Sequence, residues 1–248
     1  MKRFTRYWLF ALLLLLLAGG FWLMGTQSGL LWVWGQVQNR TDGAVNAETV
    51  EGTLAGPVLM RGVSLETGAA SVEIGRLGLN WAPTALLGGT LKLVDLSAER
   101  VRIVTAPAGP DGGEVDGPVL PAPVLKLAVE GADIRDVLLQ PADGKPIRLE
   151  RITLTARLDS EGLRMSHLGV NSGQGSLRAR GRVGRRPGQP LNLQVQWSLE
   201  PEPLQRPVSG SGRIGGTVAA PELRFDVGAP FKAEGEVEVQ WLDQPFAW

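Results

Sequence analysis

The sequence predicts a mainly β protein carried behind one N-terminal transmembrane helix. Three observations predict it. An uncharged, mostly apolar run extends from Tyr7 to Gly25, and beyond Val45 the apolar residues recur with a period of two. The chain also holds 33 glycines and 17 prolines, which punctuate the alternating runs at short intervals, as turns between strands require.

At 1.5 Å per residue the first run reaches roughly 28 Å, close to the thickness of a hydrocarbon core. Its anchoring side chains are Trp8, Leu9, Phe10, Leu12, Leu14, Leu16, Phe21 and Trp22. Lys2, Arg3 and Arg6 precede it and the next basic residue is Arg40. The positive-inside rule therefore places the N-terminus in the cytoplasm and exports the remainder. Ala18, Gly19 and Gly20 offer the small residues of a cleavage site, but Phe21, Trp22, Leu23 and Met24 continue the apolar run past them, which favours an uncleaved signal anchor over residues 1–26.

Residues 27–44 predict a short helix with Ser28 as its cap. Trp32 and Trp34 suit the headgroup level of a bilayer, making the helix interfacial. A core helix of the following domain is the other reading, because the apolar residues surround the axis instead of forming one stripe. Asn39, Arg40 and Thr41 spell a glycosylation acceptor, a match short enough to arise by chance.

A first β segment spans 45–105. Val72 and Ile74, then Leu77, Leu79 and Trp81, then Leu91 and Leu93 alternate with polar or small residues. A short helix is expected near 83–88, with Pro83 at its start and Gly88 and Gly89 after it. Residues 106–122 are rich in Gly, Pro and Ala without periodicity and read as a linker. A second β segment occupies 123–248. Its clearest strand alternates over nine residues, with Leu191, Leu193, Val195, Trp197 and Leu199 on one face and Asn192, Gln194, Gln196 and Ser198 on the other. Leu125, Leu127 and Val129 repeat the pattern, as do Ile147 with Leu149, Ile152 with Leu154, Leu177 through Val183, Leu223 through Val227 and Val237 through Trp241. Short gaps between these runs imply antiparallel hairpins.

About twelve strands with one dry face each would make a sheet roughly 55 to 60 Å long. Two stacked sheets, a closed barrel, or one sheet folded lengthwise into a trough and lined by acyl chains would each satisfy the dry faces. Period alone leaves all three open.

Lys plus Arg and Asp plus Glu both total 25, so no net field draws nucleic acid. The absence of cysteine removes disulfides, thiolate metal sites and a cysteine nucleophile. The one histidine, His167, has no second His or Cys beside it and reads as a polar surface or satisfied core position. No catalytic residue, metal site or cofactor is expected. Gly210, Gly212 and Gly215 spell GxGxxG, but no βαβ unit surrounds them and they read as a glycine-rich turn. Arg178, Arg180 and Arg182 share one strand face, and Glu234, Glu236 and Glu238 share another. A solvated outer face is the ordinary reading; the functional one is that the arginines grip phosphate headgroups.

Gly52, Leu54, Gly56 and Pro57, followed by Gly62 and Val63, then by Trp81, Pro83, Leu86 and Leu87 and by Val101, Arg102 and Ile103, form a recognisable series. Over residues 1 to about 105 the chain resembles the N-terminal part of the TamB family, inner-membrane subunits of the translocation and assembly module within the AsmA-like group. Beyond that it follows by strand pattern alone. The resemblance implies a single-pass protein of the inner membrane of a Gram-negative envelope, extending into the periplasm as an elongated, curved β-sheet folded into an open trough with an apolar interior. It also implies phospholipid acyl chains as the cargo, outer-membrane biogenesis as the process, and a barrel partner of the Omp85 type. Family members are several times longer, so the second segment is expected to be a truncated one, with the barrel contact lying beyond Trp248.

The expected function is accordingly a non-enzymatic lipid conduit, with Leu125, Leu127, Val129, Leu191, Leu193, Val195, Trp197 and Leu199 touching lipid. The alternatives are an assembly factor that offers strand edges to outer-membrane or autotransporter clients by β-augmentation, and a purely structural anchored sandwich.

Overall fold

The computed structural model describes residues 12, 14–15, 18–20, 22–67, 70–105, 125–142, 144–186, 188–200, 207–229 and 233–238. Helix α1 (Gln27–Arg40) precedes thirteen strands. These are β1 (Val45–Asn46), β2 (Thr49–Gly52), β3 (Val58–Glu66), β4 (Ala70–Trp81), β5 (Thr90–Thr105), β6 (Lys126–Gln140), β7 (Ile147–Leu158), β8 (Gly162–Ser172), β9 (Gly175–Gly184), β10 (Leu191–Leu199), β11 (Val208–Gly216), β12 (Pro221–Ala229) and β13 (Ala233–Glu238). A turn of 3-10 helix, Pro83–Gly88, joins β4 to β5.

All thirteen strands belong to one sheet in the order β1-β3-β4 and onward to β13, with β2 beside β3. Eleven steps along that path make it roughly 53 Å long at ~4.8 Å per step. Contacts between elements run only between hydrogen-bonded neighbours, α1 and the 3-10 turn aside, so among the described residues no second layer lies on the sheet. The sheet does not close, because β1 and β13 do not pair. Of the three arrangements that periodicity leaves open, the described residues therefore form the single open sheet, not a sandwich or a barrel.

Neighbouring strands are antiparallel except β5 and β6, which run parallel from Thr90 beside Lys126 to Val104 beside Gln140. A parallel pair needs a crossover of a dozen or more residues, and the gap after Thr105 is the one long enough. The expected linker 106–122 lies outside the described residues. The two β segments on either side of it meet edge to edge in this pair.

Two lines of irregularity cross the strands. Along the first, Gly62, Gly75, Arg100, Asp136 and Glu150 stand opposite one another, between the pairs Arg61/Arg76, Arg76/Glu99, Glu99/Arg135 and Arg135/Arg151 on one side and Val63/Ile74, Ile74/Val101, Val101/Val137 and Val137/Leu149 on the other. Gly62, Arg100 and Asp136 adopt left-handed φ of 59°, 56° and 53°. Each strand gains one residue there, so side chains three apart share a face: Ala98 and Val101 pack with Val137 in one cluster that also holds Leu77, Ile74, Ile134, Leu149 and Ile152. The second line consists of bulges, with Val94 and Asp95 of β5, Glu130 and Gly131 of β6 and Ser166 and His167 of β8 each lying against a single residue of an antiparallel neighbour.

The N-cap of α1 is Thr26 and not the expected Ser28. Its extended backbone (φ −120°, ψ 153°) ends the helical residues 22–25, and its hydroxyl accepts from Gly29 N at 3.1 Å. Among the described residues no helix is long and apolar enough to cross a membrane. Most of the expected anchor 1–26, with Trp8, Leu9, Phe10, Leu16 and Phe21, lies outside the described residues. Leu12, Leu14 and Trp22 are helical and about half exposed.

Candidate functional site

Following the register across the sheet joins the apolar side chains into continuous rows. Leu79 lies beside Leu96, Leu96 beside Ala132, and the row continues through Leu154, Leu168, Ala179, Val195, Gly212, Phe225 and Gly235. A second row runs from Leu77 through Ala98, Ile134, Ile152, Val170, Leu177 and Trp197 to Gly210, Val227 and Ala233. A third runs from Trp81 through Leu93, Val129, Ala156, Met165, Gly181, Leu193 and Ile214 to Leu223 and Val237. Val58 and Met60 of β3 lie beside Leu79 and Leu77, so one face is apolar from β3 to β13. Ala132, Ala156 and Ala179 are buried between larger neighbours, whereas Leu193, Val195 and Trp197 remain half-buried and Leu199 is 47% exposed.

Helix α1 covers the beginning of this face. Leu30 is 4% exposed and packs with Val50 and Val58, flanked by Trp34, Leu54, Met60 and Leu79. Trp32 projects from the other side of the helix, 56% exposed, beside the exposed Leu31. The two tryptophans expected at an interface therefore face different surroundings, Trp34 toward the sheet and Trp32 away from it.

The turn between β2 and β3 joins three elements through its backbone. Trp81 Nε1 donates to Leu54 O at 2.7 Å, and the next residue, Ala55, donates its N–H to Met24 O at 2.8 Å. Gly52, at φ 115°, leaves no room for a Cβ against Pro57 O, and Gly29 likewise lies against the backbone of Leu23. Gly62 is the left-handed residue of the first irregular line, and a side chain there would strike Glu48. Gly56 sits in the same turn beside Thr53, and Val63 is buried on the apolar face. Pro83 opens the 3-10 turn, with Leu86 half-buried behind it. Leu87 does not pack as a partner of Trp81: it is 93% exposed, because a 3-10 helix eclipses residues three apart and Leu87 follows the exposed Thr84.

Gly210 and Gly212 lie within strand β11, not in a turn. The Trp197 indole lies across both, and a Cβ at Gly210 would overlap its ring. Phe225 lies over Gly235 of β13 in the same manner. A glycine without a Cβ lets a large ring lie flat on the neighbouring strand, which covers the backbone that the glycine leaves bare.

Of the eight residues expected to touch lipid, Leu127, Val129, Leu191, Leu193, Val195, Trp197 and Leu199 lie on the apolar face. Leu125 precedes β6 and is 41% exposed. Periodicity missed Met165, Leu168, Val170 and Ile214; the register unites them with Ile152 and Phe225 of the alternating runs in one surface.

The opposite face is polar and charged. Asp133 accepts from Arg151 Nε at 2.7 Å and from Arg135 at 2.7 Å. The hydrogen bonds from Arg151 and then Arg135 lower its carboxyl to about 2. Arg224 donates to Glu236 at 2.6 Å, and His167 shares a 3.0 Å hydrogen bond with Thr153 Oγ1.

Protein-family models, curated proteins and solved structures give no match to this chain.

Proposed function

We propose that this chain is a lipid conduit without catalysis, anchored in the inner membrane by its N-terminal apolar run and extending into the periplasm. In this reading the sheet folds along its length into a trough, and acyl chains of phospholipids on their way to the outer membrane lie against its apolar face. The observation that carries the reading is the unbroken apolar face from β3 to β13 on which, α1 apart, no described element packs. A soluble sheet ordinarily buries such a face against a second layer. An acyl chain gains ~0.8 kcal/mol for each methylene it buries there, which offsets most of the cost of leaving a bilayer. The tie between Met24 O and Ala55 N supports the anchor, since it sets the end of the apolar run against the start of that face.

Photo-crosslinking tests the proposal. A photoreactive residue at Val195 is expected to capture phospholipid in cell envelopes, whereas one at Gln194 or Gln196, on the opposite face, is expected to capture none. Equal capture on both faces, or none at Val195, would remove the conduit.

A further inference from the structure

On the polar face of β7, β8 and β9, the register sets arginines directly against one another. Arg157 stands opposite Arg164, and Arg164 stands opposite Arg182. Arg180, two residues before Arg182, faces the bulge at Ser166 and His167. Like charges directly opposite across a sheet are destabilising. At another such pair the conflict is resolved: Arg135 and Arg151 are also directly opposite, and the Asp133 carboxylate bridges them with two contacts of 2.7 Å. No carboxylate among the described residues takes that place in the row of Arg157, Arg164 and Arg182. Among the described residues its one acidic contact is Glu161, 3.9 Å from Arg182 and 71% exposed.

We propose that this row binds a phosphate-bearing anion, which does for it what Asp133 does for Arg135 and Arg151. Arg164, Arg180 and Arg182 line an open concavity of about 450 Å³ together with Ser166, Asn192 and Gln194. Guanidinium forks match phosphate oxygens in pairs. A carboxylate has two oxygens, enough for the two arginines at Asp133; the three arginines that β8 and β9 bring to the concavity suit an acceptor with three or four. Ser166, Asn192 and Gln194 add hydroxyl and amide donors. The site lies on the face opposite the apolar rows and does not depend on the conduit reading.

The chemistry is shared by free phosphate and by a phospholipid headgroup, and titration of the full chain in a maltoside detergent separates the two. Inorganic phosphate and soluble dihexanoyl phosphatidylglycerol are each titrated calorimetrically against a chloride control of equal ionic strength. Saturable binding is expected, and Arg164→Gln should weaken it about tenfold, the effect of losing one charge-assisted bidentate contact. Arg164→Lys should fall between, while Arg148→Gln on β7, which stands opposite Leu138, should change nothing. If Arg164→Gln does not fold, Arg182→Gln serves in its place. Tighter binding of the lipid than of phosphate, still dependent on Arg164, assigns the headgroup; equal binding assigns phosphate alone. Titrations indistinguishable from chloride, or binding undiminished in the Gln variant, overturn the site.

Discussion

The indole N–H of Trp81 donates to the carbonyl of Leu54 at 2.7 Å, joining the end of β4 to a turn 27 residues earlier. Through Ala55 the same turn holds Met24. Trp81→Phe keeps an aromatic ring, smaller than the indole, and removes the donor, and is expected to cost about 1 to 2 kcal/mol. Trp81→Ala removes the half-buried ring as well and should cost about 2 to 4 kcal/mol. Urea midpoints measure both, and a Phe variant as stable as the parent would show that the bond contributes nothing.

Phe225 and Gly235 form the simplest of the ring-over-glycine pairs, since the three atoms nearest to a Cβ at Gly235 all belong to the Phe225 ring. Gly235→Ala should destabilise by about 1 to 2 kcal/mol through that overlap. In a Phe225→Leu background most of the loss should disappear, a coupling of at least ~0.5 kcal/mol. Additive effects in the double-mutant cycle would mean that ring and glycine are independent.

Asp136 holds φ at 53° in the middle of β6. Left-handed backbone costs a side-chain-bearing residue about 1 to 2 kcal/mol, least for Asp and most for β-branched residues. Asp136→Gly is therefore expected to match or exceed the parent in thermal stability, and Asp136→Val to fall below the glycine variant by at least ~1 kcal/mol. Thermal melts in which Val equals Gly would rule out a left-handed residue at this position.

The Asp133 carboxyl, held by Arg151 and Arg135, titrates at about 2, below the ~3.9 of an unfolded aspartate. Its folded pKa is depressed, so its contribution to stability is complete above pH ~4 and is lost as pH falls toward 2. Asp133→Asn should flatten the stability curve of the protein across that window while lowering it at neutral pH. Identical slopes for parent and variant between pH 4 and 2 would exclude this carboxylate as a source of acid sensitivity.

Val195 is half-buried on a face over which, among the described residues, no covering layer lies. Val195→Asp is accordingly expected to cost about 1 to 2 kcal/mol, less than the same change in a closed core, because water can reach the new carboxylate. A loss of most of the protein's stability in urea titrations would mean that another layer covers this position.

Strand β10 is legible from its letters because it contains no insertion between Leu191 and Leu199, and its pairing with β9 and β11 continues without a register shift. Strand β7 is harder. Ile147 with Leu149 and Ile152 with Leu154 read as separate strands because they are out of phase by one residue. The structure runs them together, with Glu150 on the first irregular line absorbing the offset. The same offset separates Ile74 from Leu77 in β4 and Val101 from Ala98 in β5. Periodicity along one chain cannot distinguish an inserted residue from the end of a strand; only the neighbours' register does. Gly210 and Gly212 read as turn residues for a related reason, since the ring that needs their missing side chains belongs to Trp197 on another strand. The arginine row was visible as one face of β9, but its conflict arises from Arg157 and Arg164 on two other strands.

The irregular line through Gly62, Gly75, Arg100, Asp136 and Glu150 also determines which genetic changes this sheet can absorb. Deleting Arg100 alone would turn Val101 and Ile103 to the charged side, while their partners Ile74, Val72, Val137 and Leu139 stayed behind. A single-codon deletion would thus be more damaging than most amino-acid replacements at the same site. Codon gain or loss is tolerable where it enters a connecting turn or adds a whole hairpin, so homologous chains built on this plan should vary in the number of strands and in turn length well before they vary in the spacing across this line.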